Sequence, residues 1–339
     1  MFEGSSRRAI VAAAVFVFVA GCSGNTGSLA PSQSSPSNST SGATRFIQGA
    51  AVEHLLLVPG VPHPWALPHV WPARRHKPIQ VLFVADPQNN QVLMYNPKTP
   101  NPSPKGSITN GIDYPFGVAV DNKKTLYVAN LLGNGSTGSI TIYPKGKTSP
   151  SLTITNGCAA PYGIGVDSKG DVFAAMLNND TIVGYKAGSS TPFETISFSS
   201  FGQALGLGID SKDNIWIGSD TTSAVYEIPA GTTTPKNAGL SGLNGTISIA
   251  FGQNDEMYVS NFGGTNVTVY AYGTTSPSRT ITAGLTAPTL NGLTHSDYFF
   301  QSNQNGNVSG YKKGQSTPFS TITGIKDPRG IASTPLVKT

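Results

Sequence analysis

ITIYPKGKTSPSLTI, residues 140–154, is the clearest copy of a repeated unit in which alternating apolar runs flank a turn made of Gly, Lys, Thr, Ser and Pro. In this turn Gly146 is followed four residues later by Pro150. The glycines of successive copies lie 41 to 43 residues apart, and the pair recurs at Gly188/Pro192, Gly231/Pro235, Gly273/Pro277 and Gly314/Pro318. β-Branched and aromatic residues around such a turn predict a β-hairpin, in which Gly takes a positive φ and Pro presets its own. With an earlier run ending at Tyr95, the chain contains six predicted hairpins.

Each repeat also carries two predicted strands before its hairpin. The first is rich in small residues, as in GVAVD at 117–121 and GIGVD at 163–167, and suits a crowded inner edge near an axis. The second is exemplified by LYVAN at 126–130. Four strands per repeat with a period near forty residues predict an all-β fold, a six-bladed β-propeller of four-stranded blades.

The two ends of the repeat region are out of phase. The first repeat begins at its second strand, near Val81, whereas PRGIAS at 328–333 matches the first strand PFGVAV at 115–120. We therefore predict a propeller over residues 81–334 whose ring is closed by the C-terminal strand, followed by a tail of residues 335–339. Such closure pairs the two chain ends and removes an exposed sheet edge.

These residues resemble the NHL-repeat family, whose blades read P-x-G-V-A-V-D and then Y-V-A-D/N. The matching stretches are PFGVAVD with LYVAN in the second blade and PYGIGVD in the third. The resemblance implies the propeller fold. It implies no single activity, because the same propeller also carries gluconolactonase-like hydrolases and streptogramin lyases.

The N-terminus carries a predicted export signal. Arg7 and Arg8 precede an apolar stretch over residues 9–20, which is too short to span a bilayer as a stable helix. The following V-A-G-C resembles a bacterial lipobox, which implies a signal peptide over residues 1–21 and lipidation of Cys22. Ser23 is not an Asp-type retention signal, so an exported lipoprotein of the cell envelope is predicted, anchored to the outer membrane or the cell surface.

Two further segments precede the repeats. Residues 22–44 are nearly all Ser, Gly, Pro, Thr, Asn and Ala and predict a flexible tether after the lipidated Cys. Residues 45–80 form a predicted Pro-rich irregular arm, whose histidines are spaced unlike known metal motifs. The net charge of +5 is mild and no large Lys/Arg cluster occurs, so we expect no nucleic-acid binding. We also expect a monomer.

The best candidates for chemistry are the residues that end the second strands. They are expected to converge around one mouth of the central channel: Asp86, Asn130, Met176, Ser219, Asn261 and Asn303. Gluconolactonase-like relatives bind a divalent metal there, which makes Asp86, Asn130, Ser219, Asn261 and Asn303 candidate ligands for Ca²⁺ or Mg²⁺. One carboxylate and a Met make a poor donor set, so we expect no resident cofactor. The favoured alternative is that these side chains cap strand turns by hydrogen bonds.

Three functions remain open from the sequence. The leading one is a non-catalytic binding module for a protein, peptide or glycan, since the repeats contain no His/Asp/Ser or Glu/His constellation. The second is a metal-dependent lactonase or related hydrolase using Asp86, Asn261 and Asn303. The third is a streptogramin-lyase-like enzyme using His295 and Glu256. We predict no catalytic residue, and structural roles for Cys158 and the repeated turn aspartates Asp121, Asp167 and Asp210.

Overall fold

The computed structural model describes residues 80–132 and 137–335. These residues form 24 β-strands arranged as six antiparallel sheets of four strands each. Within the described ranges, the helical structure consists of one 3₁₀ turn, Pro87–Asn89. The predicted six-bladed, all-β propeller is therefore confirmed.

The blades follow one another along the chain. Blade 1 consists of β1 (Leu82–Asp86), β2 (Gln91–Tyr95), β3 (Gly106–Ile108) and the last strand β24 (Ile331–Ser333). Blade 2 consists of β4 (Pro115–Val120), β5 (Leu126–Asn130), β6 (Ser139–Tyr143) and β7 (Leu152–Ile154). Blade 3 consists of β8 (Pro161–Val166), β9 (Val172–Met176), β10 (Thr181–Tyr185) and β11 (Pro192–Ser197).

The remaining blades repeat the same order. Blade 4 consists of β12 (Leu207–Ile209), β13 (Ile215–Ser219), β14 (Ala224–Ile228) and β15 (Lys236–Asn237). Blade 5 consists of β16 (Thr246–Phe251), β17 (Met257–Asn261), β18 (Asn266–Tyr270) and β19 (Arg279–Ile281). Blade 6 consists of β20 (Pro288–Leu293), β21 (Phe299–Asn303), β22 (Asn307–Tyr311) and β23 (Ser320–Ile322). The outermost strand of blade 4 has only two residues.

The first strand of each blade lines the central channel, as the small residues predict. A Cβ atom added to Gly117 would lie 2.5 Å from the carbonyl oxygen of Tyr162 in the next blade. The backbones of neighbouring inner strands also bond directly, since Gly206 N donates to Ile247 O at 3.0 Å. Side chains at these positions would hold the blades apart, so glycine is required for the close approach.

The hairpins have the predicted turn chemistry. Gly146, Gly188, Gly231, Gly273 and Gly314 all have φ between +71° and +75°. The tyrosine that ends the third strand joins its blade to the preceding one: Tyr143 Oη donates to Asn110 O at 2.7 Å and Tyr311 Oη to Ala283 O at 2.6 Å. These tyrosines therefore contribute to packing between blades.

The C-terminal strand closes the ring in blade 1. In β24, Ser333 pairs with Leu82 and Ile331 with Val84. Backbone bonds extend the pairing, because Ala85 N donates to Gly330 O and Arg329 N donates to Ala85 O, both at 3.0 Å. Gly330 N also donates to Phe116 O of blade 2 at 2.7 Å, so this strand joins two blades.

Several predicted segments lie outside the described residues. These are the signal peptide 1–21, the tether 22–44 with Cys22, and residues 45–79 of the predicted arm 45–80. Residues 336–339 of the predicted tail 335–339 lie outside them as well. Within the described ranges, no helix has the length and apolar character needed to cross a bilayer.

Candidate functional site

Turns between the first and second strands form one face of the ring, which we call the open face. The turns comprise residues 121–124, 167–170, 210–213, 252–255 and 294–297. In the first, Asp121 Oδ1 accepts bonds from Lys123 N at 2.9 Å and Thr125 N at 2.8 Å. Asp167 and Asp210 bond their own turns in the same way, which confirms the predicted structural role of these aspartates.

Hydrogen bonds between blades lock most of this rim. Asp213 accepts from the backbone and hydroxyl of Ser168 at 2.8 and 2.7 Å. Asp255 accepts from the same two groups of Ser211 at 3.0 and 2.5 Å. Asp297 accepts from Gln253 N at 2.9 Å. The turns of blades 3 to 6 are thus tied in series, so the rim is a preorganised surface.

The central channel opens on this face into a wide cavity. The channel encloses about 220 Å³, and the cavity at its mouth encloses about 500 Å³. The two volumes share the ends of inner strands as walls, among them Val120, Ile209 and Phe251. Asn122 and His295 contribute polar groups to the wider part. A recess of this size is in the range of ligand sites.

Apolar side chains close the channel at the opposite face, which we call the closed face. They come from the starts of the inner strands and are all buried: Phe116, Tyr162, Leu205, Ile247 and Leu290. The rings of Phe116 and Tyr162 lie 4.8 Å apart between centroids. Leu290 reaches across from blade 6 to within 2.9 Å of the position that a Cβ of Gly206 would occupy. Among the described residues, these side chains fill the closed-face end of the channel, and the mouth cavity lies at the open face.

The residues proposed from sequence end their strands at the closed face. Asn130, Asn261 and Asn303 are fully buried, and each amide oxygen accepts a backbone N–H from the segment before its blade. Their amide nitrogens donate to side chains of the third strand in the same blade, such as Thr141 and Thr268. These are the contacts expected of capping residues. They do not bring the three side chains together.

Asp86 differs from the asparagines in the partners of its two oxygens. Oδ2 accepts from Asn89 at 2.7 Å and Gln91 at 3.1 Å, whereas the buried Oδ1 has no hydrogen-bond partner among the residues that the structure describes. Nearby, Asp327 pairs with Arg329 at 2.8 Å. Burial raises the pKa of Asp327, the Arg329 guanidinium opposes this rise, and the Asp86 carboxylate adds to it. The carboxylates of Asp86 and Asp327 at the closed face therefore already have the guanidinium of Arg329 near them.

The other two strand ends also have partners inside the protein. Ser219 Oγ donates to Phe201 O at 2.7 Å and accepts from Thr222 N at 3.2 Å. Met176 Sδ accepts from Ala159 N at 3.4 Å. No group of three or more His, Cys, Asp or Glu side chains able to hold a metal ion occurs within residues 80–132 and 137–335. A Ca²⁺ or Mg²⁺ site formed by the strand ends stays a prediction.

Replacement of Asn130 by aspartate separates the capping role from a metal-binding role. The variant keeps the shape but loses the Nδ2 donor to Thr141 and Gly111 O, and it buries a charge. We expect the free energy of unfolding to fall by about 3 kcal/mol. Urea unfolding of the variant and of the original chain, with and without millimolar Ca²⁺, measures this change in the free energy of unfolding.

The matched control is Asn178→Asp, at an exposed position after the second strand of blade 3, which we expect to change stability little. A metal-ligand role for Asn130 predicts the reverse pattern, because an added carboxylate strengthens Ca²⁺ binding. Calcium would then stabilise Asn130→Asp more than the original chain.

The remaining candidates for chemistry are held apart. Burial raises the pKa of the Cys158 thiol to about 11, and Sγ contacts Ile154 O at 3.5 Å, so this Cys is unreactive in the folded state. His295 lines the mouth cavity. Glu256 accepts from Tyr258 Oη at 2.6 Å in a groove between blades 5 and 6. The sequence analysis did not predict a site at the mouth on the open face. The only sequence feature that pointed to this face was the repeated turn with an Asp.

Fold comparison agrees with the six-bladed propeller. One chain of a nidogen/laminin complex superposes with a TM-score of 0.64 at 15% identity, over 75% of this chain and 98% of that one. A protein of unknown function from Bacteroides caccae superposes with a TM-score of 0.56 at 13% identity, over the same shares of the two chains. No family model matches the sequence, and no curated protein matches it. The likeness is one of fold.

Proposed function

We propose that this chain is a non-catalytic binding module that takes a protein, peptide or glycan ligand at the mouth of the channel on its open face. The observation that carries the proposal is the cavity of about 500 Å³ at the mouth of the channel. Its rim is tied by bonds between blades, such as Ser168–Asp213 and Ser211–Asp255. A rigid concave surface loses little conformational entropy when a ligand binds, which favours affinity.

A blocking substitution at the mouth tests the proposal. Asn122 is exposed, lines the cavity and makes no side-chain hydrogen bond among the described residues. We expect Asn122→Trp in the full-length chain to lose at least about tenfold in affinity for ligands that the original chain selects from peptide and glycan arrays. The matched control, Asn178→Trp, adds the same side chain at an exposed position on the closed face. It should bind as the original does.

Two results would contradict the proposal. Ligands unaffected by Asn122→Trp but lost with Asn178→Trp would assign binding to the closed face. Saturable Ca²⁺ or Mg²⁺ binding that disappears in Asp86→Ala, together with hydrolysis of lactones, would replace the binding module by a metal-dependent hydrolase. Calorimetric titration of the two ions decides the second case.

We further propose that the module is an NHL-type propeller held at the cell envelope by lipid on Cys22. Support comes from the PFGVAVD and PYGIGVD repeats and from the V-A-G-C motif after the apolar stretch 9–20. A single acyl chain binds membranes only weakly, so a stable anchor needs more than one. A chain of similar fold occurs in a nidogen/laminin complex, an assembly of proteins, which supports a protein ligand.

Replacement of Cys22 by serine tests the anchor. We expect Cys22→Ser to abolish incorporation of labelled palmitate and to move the protein from the membrane fraction to the soluble fraction. The control is Cys158→Ser, which removes the other Cys of the chain, one that is buried in the propeller. Equal palmitate labelling of the Cys22→Ser variant and the original chain would contradict a lipid at this position.

A further inference from the structure

Adjacent blades meet at equivalent grooves, and one groove is filled by the chain itself. Between blades 5 and 6, Arg279 lies under the hairpin turn of blade 6, where Nη1 donates to Gln315 O at 2.9 Å. Nη2 donates to Tyr258 Oη at 3.2 Å and lies 3.8 Å from Glu256. The guanidinium carbon is 5.7 Å from the centre of the Tyr258 ring. We call this site the filled groove.

The groove between blades 4 and 5 is lined from the corresponding strands, and no Lys or Arg of the described residues lines it. Strand register relates the two grooves. In blade 4, Trp216 pairs with Glu227, and Glu227 pairs with Lys236. In blade 5, Tyr258 pairs with Val269 and Val269 with Arg279, in the same order. Lys236 stands in the place of Arg279, and its exposed side chain makes no hydrogen bond or ion pair with any described residue. A cavity of about 230 Å³ remains, which we call the empty groove.

The empty groove has aromatic walls and a carboxylate. Trp216 and Phe251 meet edge to face at 5.8 Å, and Tyr272, which is 55% exposed, stands at the entrance. Glu227 lines the groove, and its carboxylate has no hydrogen-bond or ionic partner among residues 80–132 and 137–335. Two further carboxylates, Asp210 and Asp255, are held by bonds to Trp216 Nε1 and to Ser211.

This chemistry suits a planar cation. An aromatic face attracts a cation through its ring quadrupole, most strongly for Trp, and a carboxylate accepts two bonds from a guanidinium. Two lysines of the described residues lie near the groove: Lys236, which pairs with Glu227 across the sheet, and Lys212, whose Nζ lies 4.7 Å from the centre of the Tyr272 ring. Neither of them lines the groove. The groove also adjoins the mouth cavity, with which it shares Asp210, Phe251 and Asp255.

We propose that the empty groove binds an arginine side chain of a partner peptide, with the guanidinium between Trp216 and Glu227 as Arg279 lies beside Tyr258. The inference rests on the proposed function, since the peptide would reach the groove from the adjoining mouth. The inference adds to that function the kind of ligand side chain that the empty groove selects. The partner is therefore a basic peptide or a protein loop bearing arginine.

Calorimetry on the full-length chain tests the inference with two small probes. They are Nα-acetyl-arginine methylamide and its uncharged isostere, Nα-acetyl-citrulline methylamide. We expect the arginine probe to bind at one site with a Kd on the order of 1 mM, about tenfold more tightly than the citrulline probe. Equal affinity for the two probes, or no binding at tens of millimolar, would overturn the proposal.

Three variants locate the site. Glu227→Gln should abolish the preference for the arginine probe, while the control Glu194→Gln, at a partly buried glutamate of blade 3, should retain it. Arg279→Ala empties the filled groove, so the number of sites should rise from one to two. Lys236→Arg supplies the chain's own guanidinium, so binding should weaken several-fold. The gain of a site in Arg279→Ala does not depend on whether Glu227→Gln folds.

Other outcomes distinguish the inference from the proposed function. If Asn122→Trp still binds the arginine probe, the result supports the empty groove as an arginine site, independently of which ligand binds at the mouth. Mouth ligands that bind equally well to Glu227→Gln leave the binding module standing and remove the groove from it. Displacement of the arginine probe by a neutral oligosaccharide, with no effect of Glu227→Gln on either, would make the groove a glycan site and overturn the inference.

Discussion

Replacement of Gly330 by valine is expected to lower the free energy of unfolding by about 4 kcal/mol, because overpacking here forces backbone against backbone. A Cβ atom on Gly330 would lie 2.6 Å from Val118 N and also against Phe116 O. Both atoms belong to the inner strand of blade 2, which cannot move away without parting from β5. The bond from Gly330 N to Phe116 O, at 2.7 Å, would be lost as well.

Urea unfolding followed by tyrosine and tryptophan fluorescence measures the effect. The control is Gly314→Asn, in a hairpin turn where φ is +71° and no atom lies within 4 Å of an added Cβ. Asparagine tolerates this left-handed conformation, so a loss below about 1 kcal/mol is expected. If Gly330→Val were no worse than Gly314→Asn, the close contact between closing strand and blade 2 would not contribute to stability.

The second large effect is expected for Gln301→Leu in blade 6. Gln301 is fully buried, and its amide nitrogen donates to the carbonyl oxygens of Thr289, Leu290 and Ser302 at 2.9 to 3.2 Å. Its oxygen accepts from Ser260 Oγ of blade 5 at 2.6 Å. Leucine has a similar volume but leaves these groups unpaired in a dry interior, so we expect a loss of about 3 kcal/mol.

The network around Gln301 makes this position sensitive. Ser260 also accepts from Asn291 at 2.8 Å, and Ser248 donates to Asn291 Oδ1 at 3.0 Å, so the bonds run across the contact of blades 5 and 6. The control is Gln304→Leu, an exposed position three residues later. A thermal midpoint of Gln301→Leu equal to that of Gln304→Leu would mean that the network has no net stabilising effect.

The architecture could be predicted because each blade repeats the same local rules. Positive φ at glycines such as Gly146, the Asp121 type of turn and the match of PRGIAS to PFGVAV all depend on sequence neighbours or on the repeat itself. Such patterns need no knowledge of the other blades. They determined strand order, hairpin position and the closing strand.

The candidate site could not be predicted in the same way. The sequence around Asn130 and its equivalents would look the same whether these side chains faced the channel or their own blade. The backbone N–H groups of the segment before each blade fix the orientation, because they donate to the amide oxygens. Which end of the channel is open depends on how bulky residues from different blades, such as Phe116 and Tyr162, pack together. The empty groove depends on Lys236 standing where blade 5 has Arg279. That difference becomes informative only when strand register is known.

The closing strand also sets the order of events in folding. Val81 O accepts from Thr334 N at 2.9 Å, and Val81 N donates to Thr334 Oγ1 across 253 positions of sequence. Contacts of such long range are slow to form, because loop closure must precede any gain from pairing. Blade 1 therefore remains a three-stranded sheet with an open edge until the last residues of the propeller have been synthesised.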